Sequence, residues 1–176
     1  YRDIDISISH DGDLATAIAC ASPGLEDYPK IDRDLATLMP PRNEDFHKYD
    51  YGKVLIIGGK KGMHGSVTLS AMSAMRTGAG LAQLLVPSSI EHAINNWLVE
   101  SIIKTYPSND EGEFGVVDRE DFIKYIKTFD AIAFGPGIGR GQSARDMLDI
   151  LLTEYLGPLV IDADGINLLS ELSFLD

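Results

Sequence analysis

Lys53–Leu81, KVLIIGGKKGMHGSVTLSAMSAMRTGAGL, decides how the chain folds. Val54–Ile57 is a short, continuous apolar run rich in β-branched residues, the pattern of a strand buried on both faces. Gly58, Gly59, Gly62 and Gly65 then make a loop, and Ser66–Thr77 reads as a helix that stops at Gly78-Ala79-Gly80. Strand, glycine loop and helix in that order open a βαβ unit. Leu69, Met72 and Met75 recur at helical spacing, with the small residues Ser66, Ser70, Ala71, Ser73 and Ala74 between them, so the helix can lie close on a sheet. Its first N–H groups point back at the glycines, an arrangement suited to an anion such as phosphate.

Outward from this unit the pattern repeats. Leu81–Val86 is a second strand, closed by Pro87-Ser88-Ser89, and Ile90–Leu98 is a short helix. Ile102–Thr105 is a weaker strand, followed by a polar surface loop at Ser108–Gly112. Val117–Phe129 reads as an amphipathic helix with Asp118 at its cap, Asp121 three residues on, and Phe122, Ile126 and Phe129 on one face. Ala131–Phe134 is a strand, Gly135-Pro136-Gly137-Ile138-Gly139 a second glycine loop, and Ser143–Tyr155 a helix. Leu159–Ile161 ends in Asp162-Ala163-Asp164-Gly165 before a last apolar segment, Ile166–Leu172. Strands alternating with helices imply a three-layer α/β/α domain around a mainly parallel sheet.

Residues 1–45 are less regular and read as an N-terminal connector or extension ahead of a domain at 46–176. Ile4, Ile6 and Ile8 alternate with polar residues as in a half-buried strand, and His10-Asp11-Gly12-Asp13 breaks it. Leu14–Ala21, small and apolar, suits one or two helical turns. The prolines from Pro29 to Pro41 suit an extended connector.

The 176 residues suffice for one domain with a core of its own. A formal net charge of −12 argues against a nucleic-acid or anionic-membrane surface, both of which need a basic patch. Cys20 is the only cysteine, which rules out an intrachain disulfide and points to a reducing cytoplasm. No stretch approaches the run of about 20 apolar residues that spans a bilayer.

Ligands of open parallel sheets bind beyond the carboxyl ends of the strands. Gly58–Gly65, Gly135–Gly139 and Asp162–Asn167 all fall there. Taken singly, each has a plain structural explanation, since glycines are common in βα turns and an Asp ending a strand often caps a helix. Three on successive strands point to a site. The first loop is neither a Walker loop, because Ser66-Val67 follows Gly65, nor a G-x-G-x-x-G fingerprint. Lys60, Lys61 and His64 offer positive charge, although such side chains on a loop are commonly just solvated. In the second loop Pro136 fixes its own φ between glycines, giving a stiff wall of backbone N–H groups. Asp162 and Asp164 could take a hydrated Mg2+ or hydroxyl hydrogen bonds. His47-Lys48 is a further candidate, equally readable as a surface pair, and Met72/Met75, Phe122/Ile126 and Trp97 read as packing.

Pro41-Arg42, His47-Lys48-Tyr49-Asp50-Tyr51-Gly52-Lys53-Val54, Gly62-Met63-His64-Gly65, Arg76-Thr77-Gly78-Ala79-Gly80-Leu81, Gly135–Gly139 and Val160-Ile161-Asp162-Ala163-Asp164-Gly165-Ile166-Asn167-Leu168-Leu169 occur in this order. Together, over about Leu38 to Leu169, they resemble the ADP/ATP-dependent NAD(P)H-hydrate dehydratases, whose fold is ribokinase-like. The resemblance implies a metabolite-repair lyase that uses ADP or ATP, with Mg2+, to dehydrate the S-epimer of hydrated NADH or NADPH. Phosphorylating the ring hydroxyl would make it a good leaving group. By the same resemblance Gly65, Ser66, Val67, Gly137 and Gly139 would line the hydrated-cofactor pocket, with Asp162 and Asn167 at its floor. Ser66-Val67 stands where members commonly carry two alanines. Asp3-Ile4-Asp5-Ile6 resembles the tail that follows an N-terminal epimerase domain in bifunctional members, with Asp5 where Gly is usual.

The family's catalytic aspartate lies in a Gly-Thr-Gly-Asp loop that does not occur before Asp176, so no residue here is assigned as the base. The chain is therefore expected to be the N-terminal portion of the domain, because a sheet ending after Leu169 would leave an unpaired apolar edge. Two other readings share the same loops: a small-molecule kinase of this fold, and a non-catalytic nucleotide-binding module. Folds of this kind are often homo-oligomers, but no sequence feature fixes an interface.

Overall fold

Residues 3–11, 14–22, 45 and 47–172 are described by a computed structural model. Among them, seven strands form one sheet: β1 (Asp3–Asp11), β2 (Leu14–Ser22), β3 (Lys53–Ile57), β4 (Leu81–Pro87), β5 (Ile102–Tyr106), β6 (Ala131–Phe134) and β7 (Leu159–Asp162). Their order across the sheet is β1-β2-β7-β6-β3-β4-β5. The five strands from β3 to β7 are parallel, as their continuous apolar runs demanded. The extended connector expected over Pro29 to Pro41, and Arg42 after it, lie outside the described residues.

Leu14–Ala21 forms a strand and not the expected helical turns. It pairs antiparallel with β1 along its whole length, from Asp3↔Ser22 to Asp11↔Leu14. Eight residues are too few to hold a helix without tertiary support, whereas a neighbouring strand satisfies each backbone group in turn. The outer edge of β7, expected to lack a neighbour, takes β2 antiparallel at Ile18↔Asp162 and Ala19↔Ile161.

Helices α1 (Gly65–Thr77), α2 (Glu91–Asn95), α3 (Arg119–Ile126), α4 (Gln142–Glu154) and α5 (Asp164–Ser170) cover the sheet. Helix α1 ends where Gly78 turns left-handed at φ 109°, its N–H closing on Ala74 and Met75 carbonyls. Val67, Thr68 and Ala71 are its buried face, and Met72 and Met75 pack at the margin. Leu69, expected on that face, is 64% exposed. It lies about 200° around the helix from Val67, and close packing on the sheet favours the smaller residues. Helix α2 is shorter than expected, with a 3-10 turn at Ser88–Ile90 before it. Trp97 falls beyond its end and is 69% exposed, so it is not a packing residue. Helix α3 begins as expected, the Asp118 carboxylate accepting the Asp121 N–H at 2.8 Å. It stops at Ile126, and Phe129 is buried from the turn that follows.

Alternation along β3 divides the core between the two faces of the sheet. Leu55 and Ile57 join Phe122, Ile126, Phe134, Met147, Leu148 and Leu151, under α3 and α4. Ile56 joins Val67, Ala71, Leu84, Ile90 and Ile94, under α1 and α2. The chain winds outward from β3 through β4 to β5 with helices on one face. It then returns to the other side of β3 and winds through β6 to β7 with helices on the opposite face. The reversal falls between β3 and β6, so a crevice opens beyond their carboxyl ends.

Candidate functional site

Both glycine loops leave the sheet at this reversal. They touch through the backbone, the Gly59 N–H donating to the Pro136 carbonyl at 2.8 Å. Gly58 lies so close to Pro136 that a Cβ there would overlap its carbonyl oxygen, which is why this strand end needs a residue without a side chain. The Gly135 N–H donates to Ile57 O at 3.0 Å, tying the second loop to the last residue of β3. The loops are thus one backbone unit, and each depends on the other.

Helix α1 points into the crevice with its first turn uncapped: His64 precedes it and makes no side-chain cap bond. Nothing lies within 4 Å of where a Cβ on Gly65 would sit. The N–H groups of Gly65, Ser66 and Val67 precede the first helical bond, which runs from the Thr68 N–H to His64 O at 3.2 Å. An open, uncapped helix start is a partial positive charge facing a gap. Ser66 comes next to the second loop: a Cβ on Gly137, whose φ is 63°, would stand 3.0 Å from Ser66 Oγ. Gly65, Ser66 and Gly137 are therefore gathered at one place. Val67 belongs to the same turn but faces inward, fully buried beside Gly59 and Ile90.

The third feature closes the far side. At the end of β7 the chain turns sharply at Ala163, with φ 50° and ψ −118°, the only non-glycine residue of positive φ among those described. Such strain in a non-glycine residue marks places where neighbouring groups must be aimed. Here the neighbours are Asp162 and Asp164. Asp164 reaches across to the second loop, its Oδ2 accepting the Gly139 N–H at 3.0 Å. Burial raises the pKa of the Asp162 carboxyl above its ordinary value, opposed by a hydrogen bond from the Ala163 backbone. Asn167 lies one turn into α5, its N–H donating to Ala163 O at 3.3 Å and its backbone carbonyl accepting from the Ser170 hydroxyl at 2.7 Å.

Glu113, which directly follows the polar loop Ser108–Gly112, also belongs here. Its carboxylate pairs with Lys60 Nζ at 2.8 Å, with side chains only 16% and 26% exposed. Gly112, expected on a surface loop, is buried, and its carbonyl accepts the Lys61 N–H at 3.0 Å and Ser89 Oγ at 2.8 Å. A glycine flanked by acids was the available signal, but acidic runs are ordinarily solvated. Lys60 is accordingly not the solvated cation that its position on a glycine loop suggested.

His47-Lys48 lies at the other end of the sheet. It opens a 3-10 turn, Lys48–Tyr51, that leads into the start of β3, and the Asp50 carboxylate accepts the His47 N–H at 2.6 Å. The Gly80 and Leu81 N–H groups close on Tyr51 and Gly52 carbonyls at 3.2 and 3.1 Å. This segment braces the base of β3 and β4, about five residues of strand away from the glycine loops. Among the described residues no three His, Cys, Asp or Glu side chains gather as a metal cluster, and no helix is long and apolar enough to cross a membrane.

The chain matches known proteins. A family model described as NAD(P)H-hydrate dehydratase covers residues 54–175. A bifunctional NAD(P)H-hydrate repair enzyme of Moorella thermoacetica is 31% identical over 132 residues, which are 75% of this chain and 25% of that protein. An ATP-dependent (S)-NAD(P)H-hydrate dehydratase of Entamoeba histolytica is 29% identical over 143 residues, 80% of this chain and 46% of that one. In structure, the chain resembles the ADP/ATP-dependent NAD(P)H-hydrate dehydratase of Bacillus subtilis, crystallised with ATP/Mg2+. The TM-score is 0.52 at 26% identity, over 69% of this chain and 40% of that one. The chain thus spans between a quarter and a half of the length of these proteins.

Proposed function

The chain belongs to the NAD(P)H-hydrate dehydratase family, and we propose that the protein repairs hydrated nicotinamide cofactors, dehydrating the S-epimer of hydrated NADH or NADPH at the expense of ADP or ATP. The observation that carries the reading is the joining of the two glycine loops by the Gly59 to Pro136 bond at the sheet reversal, beside the uncapped start of α1. The second loop is not the wall of N–H groups that its sequence suggested, because those of Gly135, Ile138 and Gly139 are taken by Ile57 O, Gly135 O and Asp164. The N–H groups and dipole offered to phosphates are those at the start of α1, which suits a chain of net charge −12. Gly65, Ser66, Gly137 and Gly139 would border the hydrated cofactor. Val67 would shape that wall from behind, and Asp162 and Asn167 would stand toward its floor.

The chemistry needs positioning more than it needs covalent help. The terminal phosphoryl group of the nucleotide passes to the ring hydroxyl oxygen, whose proton must leave. The carbon–oxygen bond then breaks, phosphate departs and a ring proton is lost, which restores the double bond. Mg2+ would enter on the nucleotide phosphates and neutralise their charge, a role that asks for few protein ligands and so needs no three-carboxylate cage among the described residues. Asp162 and Asp164 are carboxylates at this end of the sheet, with Glu113 engaged by Lys60. The stretch 1–45 would serve as the connector, and an epimerase domain would stand upstream, as in the bifunctional relatives.

Phosphate accounting tests the reading. Full-length protein is incubated with hydrated NADH, Mg2+ and ATP, and the products are separated by mass. The proposal expects ADP and inorganic phosphate in equal amounts with repaired NADH. A stable phosphorylated acceptor, with no repaired cofactor, would instead make the protein a kinase of this fold.

A further inference from the structure

We propose that Glu113 and Lys60 form a latch that fixes the spacing between the two glycine loops, with Glu113 as a positioning residue for the second. The loop before α3 is built to present that carboxylate. Its ends meet at the Ser108↔Phe114 bridge, the Asn109 N–H donates to Glu113 O at 3.0 Å, and the Glu113 N–H returns to Asn109 Oδ1 at 2.9 Å. The side chain then reaches two separate elements. One carboxylate oxygen holds Lys60, the residue after Gly59 in the first loop. The carboxylate also rests against the second loop, where a Cβ on Gly139 would overlap it and one on Gly141 would come within 2.7 Å of Oε2.

Gly139 is therefore clasped from both sides, by Asp164 through its N–H and by Glu113 across its Cα. A part-buried, charge-assisted pair holds its geometry better than an exposed one. Glu113 also stands beside Gly141, the residue that precedes α4, where a carboxylate is favoured by the helix dipole. The latch sets the width of the crevice, and it engages Lys60 so that the uncapped start of α1 remains the phosphate-facing element.

The effect on turnover rests on the proposed repair activity, whereas the effect on the loops does not. Hydrogen exchange of the unliganded full-length protein is measured for wild type, Glu113→Gln and Lys60→Met. Each variant is expected to exchange roughly threefold or more faster at residues 137–141 and 60–63, with strands β3 and β6 unchanged. In the repair assay the same variants are expected to raise KM for the hydrated cofactor about three- to tenfold at nearly constant kcat. The double variant should add little to either single one, and Lys60→Arg should behave as wild type. Unchanged loop exchange in both variants, or acceleration spread evenly over the sheet, would overturn the latch. So would faster loop exchange with KM unchanged. Should the wild type show no repair at all, the functional reading falls, and loop exchange alone decides the latch.

Discussion

The Asp164 carboxylate accepts the Gly139 N–H at 3.0 Å, so the residue that starts α5 holds the loop that follows β6. Gly139 is buried and its φ is 84°, a conformation that needs support from outside the loop. Asp164→Ala leaves that N–H without its acceptor. Urea unfolding is expected to show a loss of about 1–3 kcal/mol, the usual cost of a buried unsatisfied donor. Asp164→Asn keeps an acceptor oxygen and should lose clearly less. Equal losses for the two variants would mean that the bond contributes nothing of its own.

Asp162 gives a pH signature. Its pKa in the folded state is raised by burial above the ordinary 3.8. A raised carboxyl pKa means that the folded protein binds the proton more tightly than the unfolded chain. The contribution to stability is thus fully present below the unfolded pKa and is lost as pH rises through the folded one. Asp162→Asn removes this dependence. Relative to wild type, the variant should gain in Tm as pH rises through and above the ordinary carboxylate range. A gain that shrinks over that range would contradict the burial effect.

Ala163 carries strain that a glycine would release. At φ 50° and ψ −118° a side chain is disfavoured. Glycine loses more freedom on folding, by about 0.5–1 kcal/mol, but the strain relieved is about 1–3 kcal/mol. Ala163→Gly should therefore raise stability by roughly 1 kcal/mol in denaturant unfolding. A clear destabilisation would show that the turn is not strained.

Trp97 is 69% exposed beyond the end of α2. As the single tryptophan of these 176 residues, it makes the fluorescence of this chain a direct report on that position. Emission is expected at a solvated wavelength and accessible to iodide quenching. Blue-shifted, iodide-resistant emission would place the ring in a packed environment.

The parallel strands were legible because burial on both faces writes itself as an apolar run, as in Val54–Ile57 and Ala131–Phe134. The cap of α3 was legible because Asp118 and Asp121 have the spacing the bond requires. Leu14–Ala21 was not, because small residues carry no period and only the neighbouring β1 decides their conformation. Leu69 and Trp97 misled because an apolar residue is free to remain on the surface. Within the site, the glycine loops announced themselves, but their mutual contact did not. That contact, and the place of Glu113 against Gly139, arise from residues far apart in sequence that only the folded sheet brings together. His47-Lys48 shows the converse, a motif legible in sequence whose place at the base of β3 removes it from the crevice.

The most direct test is nicotinamide absorbance, followed while full-length protein acts on the S-epimer of hydrated NADH with Mg2+ and either ADP or ATP. Nucleotide-dependent return of the absorbance, absent when nucleotide is withheld, is the predicted result. No return with either nucleotide, from a folded protein, would contradict the account.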